Sequence, residues 1–323
     1  MLGQFCLGYT YYRDGPLLME NILEVKNLTK KYSSFVAVDG ISFSVPKGRI
    51  VGLLGPNGAG KTTTIHMLLG VTFADGGKIS YFGKDFYQYK AESLQRINYA
   101  SAYNTLQGRI SVWENLLVFA KLYRVQNPEK KIAKLVDYFQ VKDLLQKRFW
   151  DLSSGQKTRV ILIKSLINEP ELILMDEPTA SLDPDIADKT LSMIEELKKD
   201  QNISLLYTSH NMDEVTRICD EVIFLDKGKI VAHDSPLGLT KRIKNTVLKL
   251  TFDGSKEVVE RFLEDSKQKF NFTHEFSVEV NTGEKQIPKL IFGLSGAGVW
   301  ITDIEVKKPT LEDFFLQIAR GEK

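Results

Sequence analysis

The chain has 323 residues, 43% of them hydrophobic and 26% charged, with a net charge of +2. It is long enough for two domains with ordinary globular cores, and so slight a positive charge leaves no nucleic-acid footprint, so no nucleic-acid partner is expected. The two cysteines, Cys6 and Cys219, show neither disulfide-framework nor zinc spacing and point to a reducing, cytosolic setting. No apolar run reaches the ~18 residues needed to span a bilayer, so a transport role would require a separate membrane partner.

Residues 1–18 lack a basic start and are broken by Gly15-Pro16, so they do not read as a signal peptide, and a disordered extension or a misassigned start is expected before Met19. Residues 22–26 and 36–45 read as short strands around turns, an antiparallel flank. Between them Tyr32 offers a ring on which a base could stack.

An apolar strand at 50–54 then runs into Gly55-Pro56-Asn57-Gly58-Ala59-Gly60-Lys61-Thr62, and a helix leads out from Thr63. A glycine, four spacers and Gly-Lys-Thr is the phosphate-cradling pattern, which arises by chance in roughly one chain in a hundred of this length. Glycines admit positive φ and close approach, while the helix start aims backbone N–H groups and its positive dipole end at the turn. A triphosphate would fit there, with Lys61 on the β and γ phosphates and the Thr62 hydroxyl on Mg²⁺.

Asp75-Gly76-Gly77 and Gly83 punctuate further short strands, and residues 112–147 carry apolar residues at three and four spacing, a helical insert in an α/β pattern. Leu152-Ser153-Ser154-Gly155-Gln156 heads another helix, with Ser153 or Ser154 as its cap. The buried strand 172–176 ends in Asp176-Glu177, at the strand end where α/β sheets expose catalytic groups. Asp176 is expected in the Mg²⁺ shell and Glu177 as the group that orients or deprotonates a water. A turn at Ser181-Leu182-Asp183-Pro184 precedes a helix over 185–199, and His210 tops the next buried strand, 203–207, within reach of a γ phosphate. The strand 221–225 and a hairpin at 226–230 close this domain. A smaller α/β pattern follows, with strands at 246–252, 276–280 and 299–306, a helix at 256–263 and a closing amphipathic helix at 311–316.

Together these motifs resemble the nucleotide-binding subunit of ABC transporters, over roughly residues 20–235. By that resemblance Gly55 to Thr62 is the Walker A loop, Leu152 to Gln156 the signature motif and Leu172 to Asp176 the Walker B strand. Glu177 matches the catalytic glutamate, Asp183 the D-loop, His210 the switch histidine and Tyr32 the adenine-stacking aromatic. It implies a P-loop NTPase core of α/β class over 19–237, with an antiparallel β flank and a helical subdomain at about 100–165. An accessory α/β domain would occupy 238–323, and that tail with its closing helix looks like those of ATPases serving ABC-2-type exporters.

The same resemblance implies ATP with Mg²⁺, a homodimer or a pair with a related ATPase subunit sandwiching two ATP, and an integral membrane permease. Ser153, Ser154, Gly155 and Gln156 would then face the partner's nucleotide, on the cytoplasmic side of the membrane. One element departs from the pattern: the family's Q-loop glutamine falls at Ala102, whose methyl can neither ligate Mg²⁺ nor accept a hydrogen bond, which predicts slower hydrolysis or weaker Mg²⁺ dependence than with glutamine. Two other functions compete with transport: a soluble nucleotide-switched protein, and a weakly hydrolysing regulatory subunit. The single cassette speaks against the first, and intact Lys61, Asp176, Glu177 and His210 against the second.

Overall fold

A computed structural model of the chain describes residues 20–101, 106–180, 182–243 and 246–319. Residues 1–18 and Ala102 lie outside the described residues. β1 (Asn21–Tyr32) and β2 (Phe35–Pro46) form a long antiparallel hairpin. Its register shifts several times, as at Val25/Leu28, so apolar residues on the two strands lose their strict alternation. For that reason the sequence pattern gives β2 almost whole but only residues 22–26 of β1. β3 (Ile50–Leu54) leads away into a central sheet, while β4 (Gly76–Tyr81) and β5 (Lys84–Asp85) extend the hairpin in the order β2-β1-β4-β5.

The central sheet adds β6 (Ile97–Ser101), β7 (Leu172–Asp176), β8 (Ser204–Thr208), β9 (Glu221–Asp226) and β10 (Lys229–Asp234), in the order β10-β9-β3-β8-β7-β6. All pairs are parallel except the β9–β10 hairpin. β3, β7 and β8 are buried at every position, because side chains of both parities find a core. Ile50, Ile173, Leu205 and Phe224 enter one apolar cluster, while Val51, Leu174, Leu206 and Ile223 enter the other, against the antiparallel sheet. Since the strands run parallel, the ends of β3, β6, β7 and β8 open along one edge, where the catalytic residues are expected.

Helices cover both faces. α1 (Lys61–Leu68) follows β3, and α2 (Lys90–Gln95) precedes β6. The insert after β6 holds α3 (Val112–Leu122), α4 (Pro128–Tyr138) and α5 (Ser154–Ser165). α3 and α5 open on capping boxes, Ser111 with Glu114 and Ser153 with Gln156, which fix where these helices begin. The helical pattern expected over 112–147 ends in no more than the 3-10 turn Lys142–Leu144. α6 (Pro184–Gln201), α7 (Met212–Ile218) and α8 (Pro236–Thr240) complete the cassette.

Beyond residue 245 lies a second antiparallel sheet, β12-β13-β11-β14, made of β11 (Thr246–Asp253), β12 (Lys269–His274), β13 (Ser277–Thr282) and β14 (Trp300–Lys307). α9 (Lys256–Asp265) and α10 (Ile287–Gly296) supply Val259, Leu263, Leu290 and Leu294 to its own apolar cluster. β12 and α10 escape the sequence pattern. The glycines of α10 break its periodicity, yet a Cβ at Gly293 would lie 2.3 Å from the Phe262 ring, so that glycine is what lets the two helices close. The last helix, α11 (Leu311–Ala319), does not add to this cluster. Leu311 and Phe314 join the first core, where the Phe314 and Phe315 rings lie 6.2 and 5.3 Å from Phe224 of β9.

Candidate nucleotide-binding and hydrolysis site

The phosphate loop joins β3 to α1 in one tight turn. Gly55 has φ 146° and Gly60 φ 104°, and a Cβ would meet the Leu225 carbonyl at 2.2 Å in the first case and the Ala37 carbonyl at 2.4 Å in the second. Only glycine fits at either position. Gly58, with φ 80°, faces open space, and Pro56, Asn57 and Ala59 complete the turn. No side chain caps the start of α1, so its first N–H groups are left for a ligand in the loop. Lys61 is buried and donates to the Gly55 and Pro56 carbonyls at 2.7 and 3.2 Å. Burial holds its ammonium below the usual lysine range, and Glu177 and Asp176 pull it partly back. A buried cation that donates to backbone carbonyls, beside an uncapped helix start, suits a polyanion. Thr62 is exposed and Thr63 half-buried in the first turn.

Two strands away, β7 delivers Asp176 and Glu177. Asp176 is nearly buried and accepts from the Thr208 hydroxyl at 2.6 Å, across the β7–β8 register that pairs these two residues. Tyr99 of β6 has its phenol beside Asp176 and Ser101, and burial pushes that phenol upward. Glu177 turns sharply, at φ 52°, with its N–H bonded to the Thr208 carbonyl and hydroxyl, each at 3.1 Å. A left-handed non-glycine residue at a strand end is strained, and here the strain aims the carboxylate across to the next strand. Its Oε1 lies 2.6 Å from Nε2 of His210, just past the end of β8. Lys61, Asp176, Glu177 and His210 thus lie along one sheet edge, and each is named by the sequence. The sequence misses Thr208 and Tyr99, whose positions follow from strand register and from no motif.

Ser153 and Gln156 bond to one another in the cap of α5, and Ser153 and Ser154 are exposed. Gly155 is buried for a local reason: a Cβ there would lie 2.6 Å from Ile186 of α6. Asp183 is exposed at the N-cap of α6 without a capping bond. None of these contacts involves Lys61 or Asp176, so within one chain the phosphate loop and the α5 start stand apart. Tyr32 is 47% exposed at the hairpin tip, with Lys30 Nζ 5.4 Å from its ring, and the same hairpin abuts Gly60 through Ala37.

A parallel sheet with a glycine-cradled lysine after one strand and two acids after another defines a P-loop nucleotide-binding α/β protein. The ABC transporter family model matches residues 38–180. The chain is 30% identical to the linearmycin resistance ATP-binding protein LnrL of Bacillus subtilis over 306 residues, 92% of this chain and 98% of that one. It is 34% identical to the Nod factor export ATP-binding protein I of Burkholderia orbicola, over 67% of this chain and 72% of the relative. Among solved structures, an ATP-binding subunit of an ABC transporter superposes with a TM-score of 0.61 at 26% identity, covering 68% of this chain and 92% of that one. CbiO1 of Clostridium perfringens, at 24% identity, shares the fold with a TM-score of 0.63 over 76% of this chain and 95% of its own. The chain belongs to the ABC transporter family, as an ATP-binding subunit, and it is an ATPase.

Proposed function

We propose that the chain hydrolyses ATP to drive export through a separate membrane permease, working as a pair of cassettes that close on two nucleotides. The observation that carries this reading is the 2.6 Å contact between Glu177 and His210, set on the sheet edge that also bears Lys61 and Asp176. Lys61 and the α1 start would bind the β and γ phosphates, and the exposed Tyr32 ring the base. Mg²⁺ would be held by Thr62 and Asp176 and would screen phosphate charge; an exposed hydroxyl and a carboxylate form a hard oxygen pair suited to it. Glu177 would take the proton of the attacking water, and His210, held to it, would keep that carboxylate aimed and contact the γ phosphate.

The exposed Ser153 and Ser154 hydroxyls and the start of α5 would meet the nucleotide held by the partner's loop, with Asp183 near the seam. Export is inferred from the names of the relatives, a resistance protein and a Nod factor exporter. No helix among the described residues is long and apolar enough to cross a membrane, which fits a subunit resting on the inner face through its permease. ATP turnover by purified protein tests the chemistry: Glu177→Gln is expected to reduce it at least ~100-fold while ATP still binds, and unchanged turnover would refute the assignment. Isolation of the chain from detergent-solubilised membranes should bring the permease with it.

A further inference from the structure

Glu214, in α7, is 7% exposed and belongs to none of the motifs described above. Its Oε2 accepts three hydroxyl hydrogen bonds: from Thr179 at 2.8 Å, Tyr207 at 2.9 Å and Ser209 at 2.8 Å. These donors come from three places. Tyr207 is in β8 and marks the fixed sheet; Thr179 lies two residues beyond Glu177; Ser209 immediately precedes His210. The β7–β8 ladder ends at the Asp176–Thr208 pair, so beyond it no sheet register holds the two loops together. Glu177 leaves the ladder in a left-handed turn and His210 is 53% exposed on its side chain. The carboxyl oxygen of Glu214 is the shared anchor on which both loops converge behind that pair.

α7 is itself held firmly. Asn211 caps it by accepting from the N–H groups of Asp213 and Glu214, and Ser209 Oγ accepts from the Asn211 N–H at 3.0 Å. Arg217 ties its outer face to Asp188 and Glu195 of α6. We infer that Glu214 is a positioning residue for ATP hydrolysis, holding through Thr179 and Ser209 the segments that bring Glu177 and His210 into contact. The inference rests on the reading of Glu177 and His210 as the hydrolytic pair, and it deepens that reading.

Steady-state ATPase kinetics of the full chain test it. Glu214→Ala frees both loops without touching Lys61, so kcat should fall on the order of 10- to 100-fold while KM for ATP stays within about threefold. Glu214→Gln keeps an acceptor oxygen at the same reach and should recover most of the loss. Thr179→Val and Ser209→Ala should each lower kcat in the wild-type background and add nothing to Glu214→Ala, since all act through one oxygen. An unchanged kcat in Glu214→Ala, additive effects in that cycle, or a loss in which KM and melting temperature move together with kcat would overturn the inference. Should Glu214→Ala fail to fold, the Thr179→Val/Ser209→Ala double variant decides: lowered kcat at unchanged melting temperature supports it, and unchanged kcat overturns it. Glu177→Gln separates the two levels. If that variant retains turnover, the hydrolytic pair is misassigned; if it loses turnover while the Glu214 variants keep theirs, only the positioning role fails.

Discussion

Thr208 shows how much of the site depends on one hydroxyl. Its Oγ1 donates to Asp176 and accepts from the Glu177 N–H, so a single atom orients both acids from a fully buried position. Thr208→Val keeps the volume and removes both bonds; it should cost about 1–3 kcal/mol of stability and lower kcat, read by thermal denaturation and ATP turnover. A valine variant with wild-type stability and turnover would show that the acids are oriented by backbone alone. At this scale the sequence is informative where chemistry forces a residue type. Gly55, Gly60 and Lys61 are legible because no other residues could serve at those positions. Thr208, Tyr99 and Glu214 are ordinary strand and helix residues whose roles arise from which strand lies beside which, and a linear pattern does not carry that.

Among the elements, α5 joins two functions. Its start carries Ser153 and Ser154, and its buried side meets α6 so closely that Gly155 leaves no room for a methyl. Gly155→Ala should destabilise the protein by about 1–3 kcal/mol by forcing α6 outward, and Ile186→Ala in the same chain should recover part of that loss. Absence of rescue would mean that the glycine serves something other than this packing. Further along α5, the buried Lys164 donates to Asn98 Oδ1 at 3.0 Å and the Tyr99 carbonyl at 2.8 Å, with the Phe119 ring 5.2 Å away. It fastens the helical insert to β6, the strand that leads into residue 102.

Burial without a carboxylate partner pulls the Lys164 amine down from 10.5 to about 8. Between these values the unfolded chain binds more protons than the folded one, so this group makes stability rise with pH from about 8 to 10.5, by up to about 3 kcal/mol. Below pH 8 the amine is charged in both states and its contribution is level. Between pH 8 and 10 the denaturant midpoint of the wild type should rise relative to that of Lys164→Met. Equal slopes would contradict the account. The insert was legible in the sequence through its helical periodicity and capping residues, whereas β12 and α10 were not: half-exposed alternation and an internal glycine hide them.

At the level of the whole molecule, the tail sheet has a core of its own, yet the chain returns from it to finish the cassette. α11 opens on a cap in which Thr310 and Asp313 bond reciprocally, then packs against α7, α8 and Phe224. α7 carries Glu214, so the last helix of the tail lies against the helix behind the hydrolytic pair. Phe314→Ala should lower the stability of the cassette by about 2–4 kcal/mol, measured by denaturation, although residue 314 lies more than a hundred residues beyond the last motif strand, β8. A change under ~0.5 kcal/mol would mean that the helix only rests on the surface. From sequence the closing helix was legible as an element, but its destination was not, because an amphipathic stripe names no partner.

In the proposed mechanism two chains hold each nucleotide, one through Lys61 and the other through Ser153. Mixing two inactive variants, Lys61→Ala and Ser153→Arg, tests this most directly, by ATP turnover of the equimolar mixture after exchange. In mixed pairs one composite site carries both defects and the other carries none. Turnover should therefore return to roughly a quarter of the wild-type value, half the pairs being mixed and one site in two intact. Turnover that stays at the level of the separate variants would contradict a shared site and place the whole reaction within a single chain.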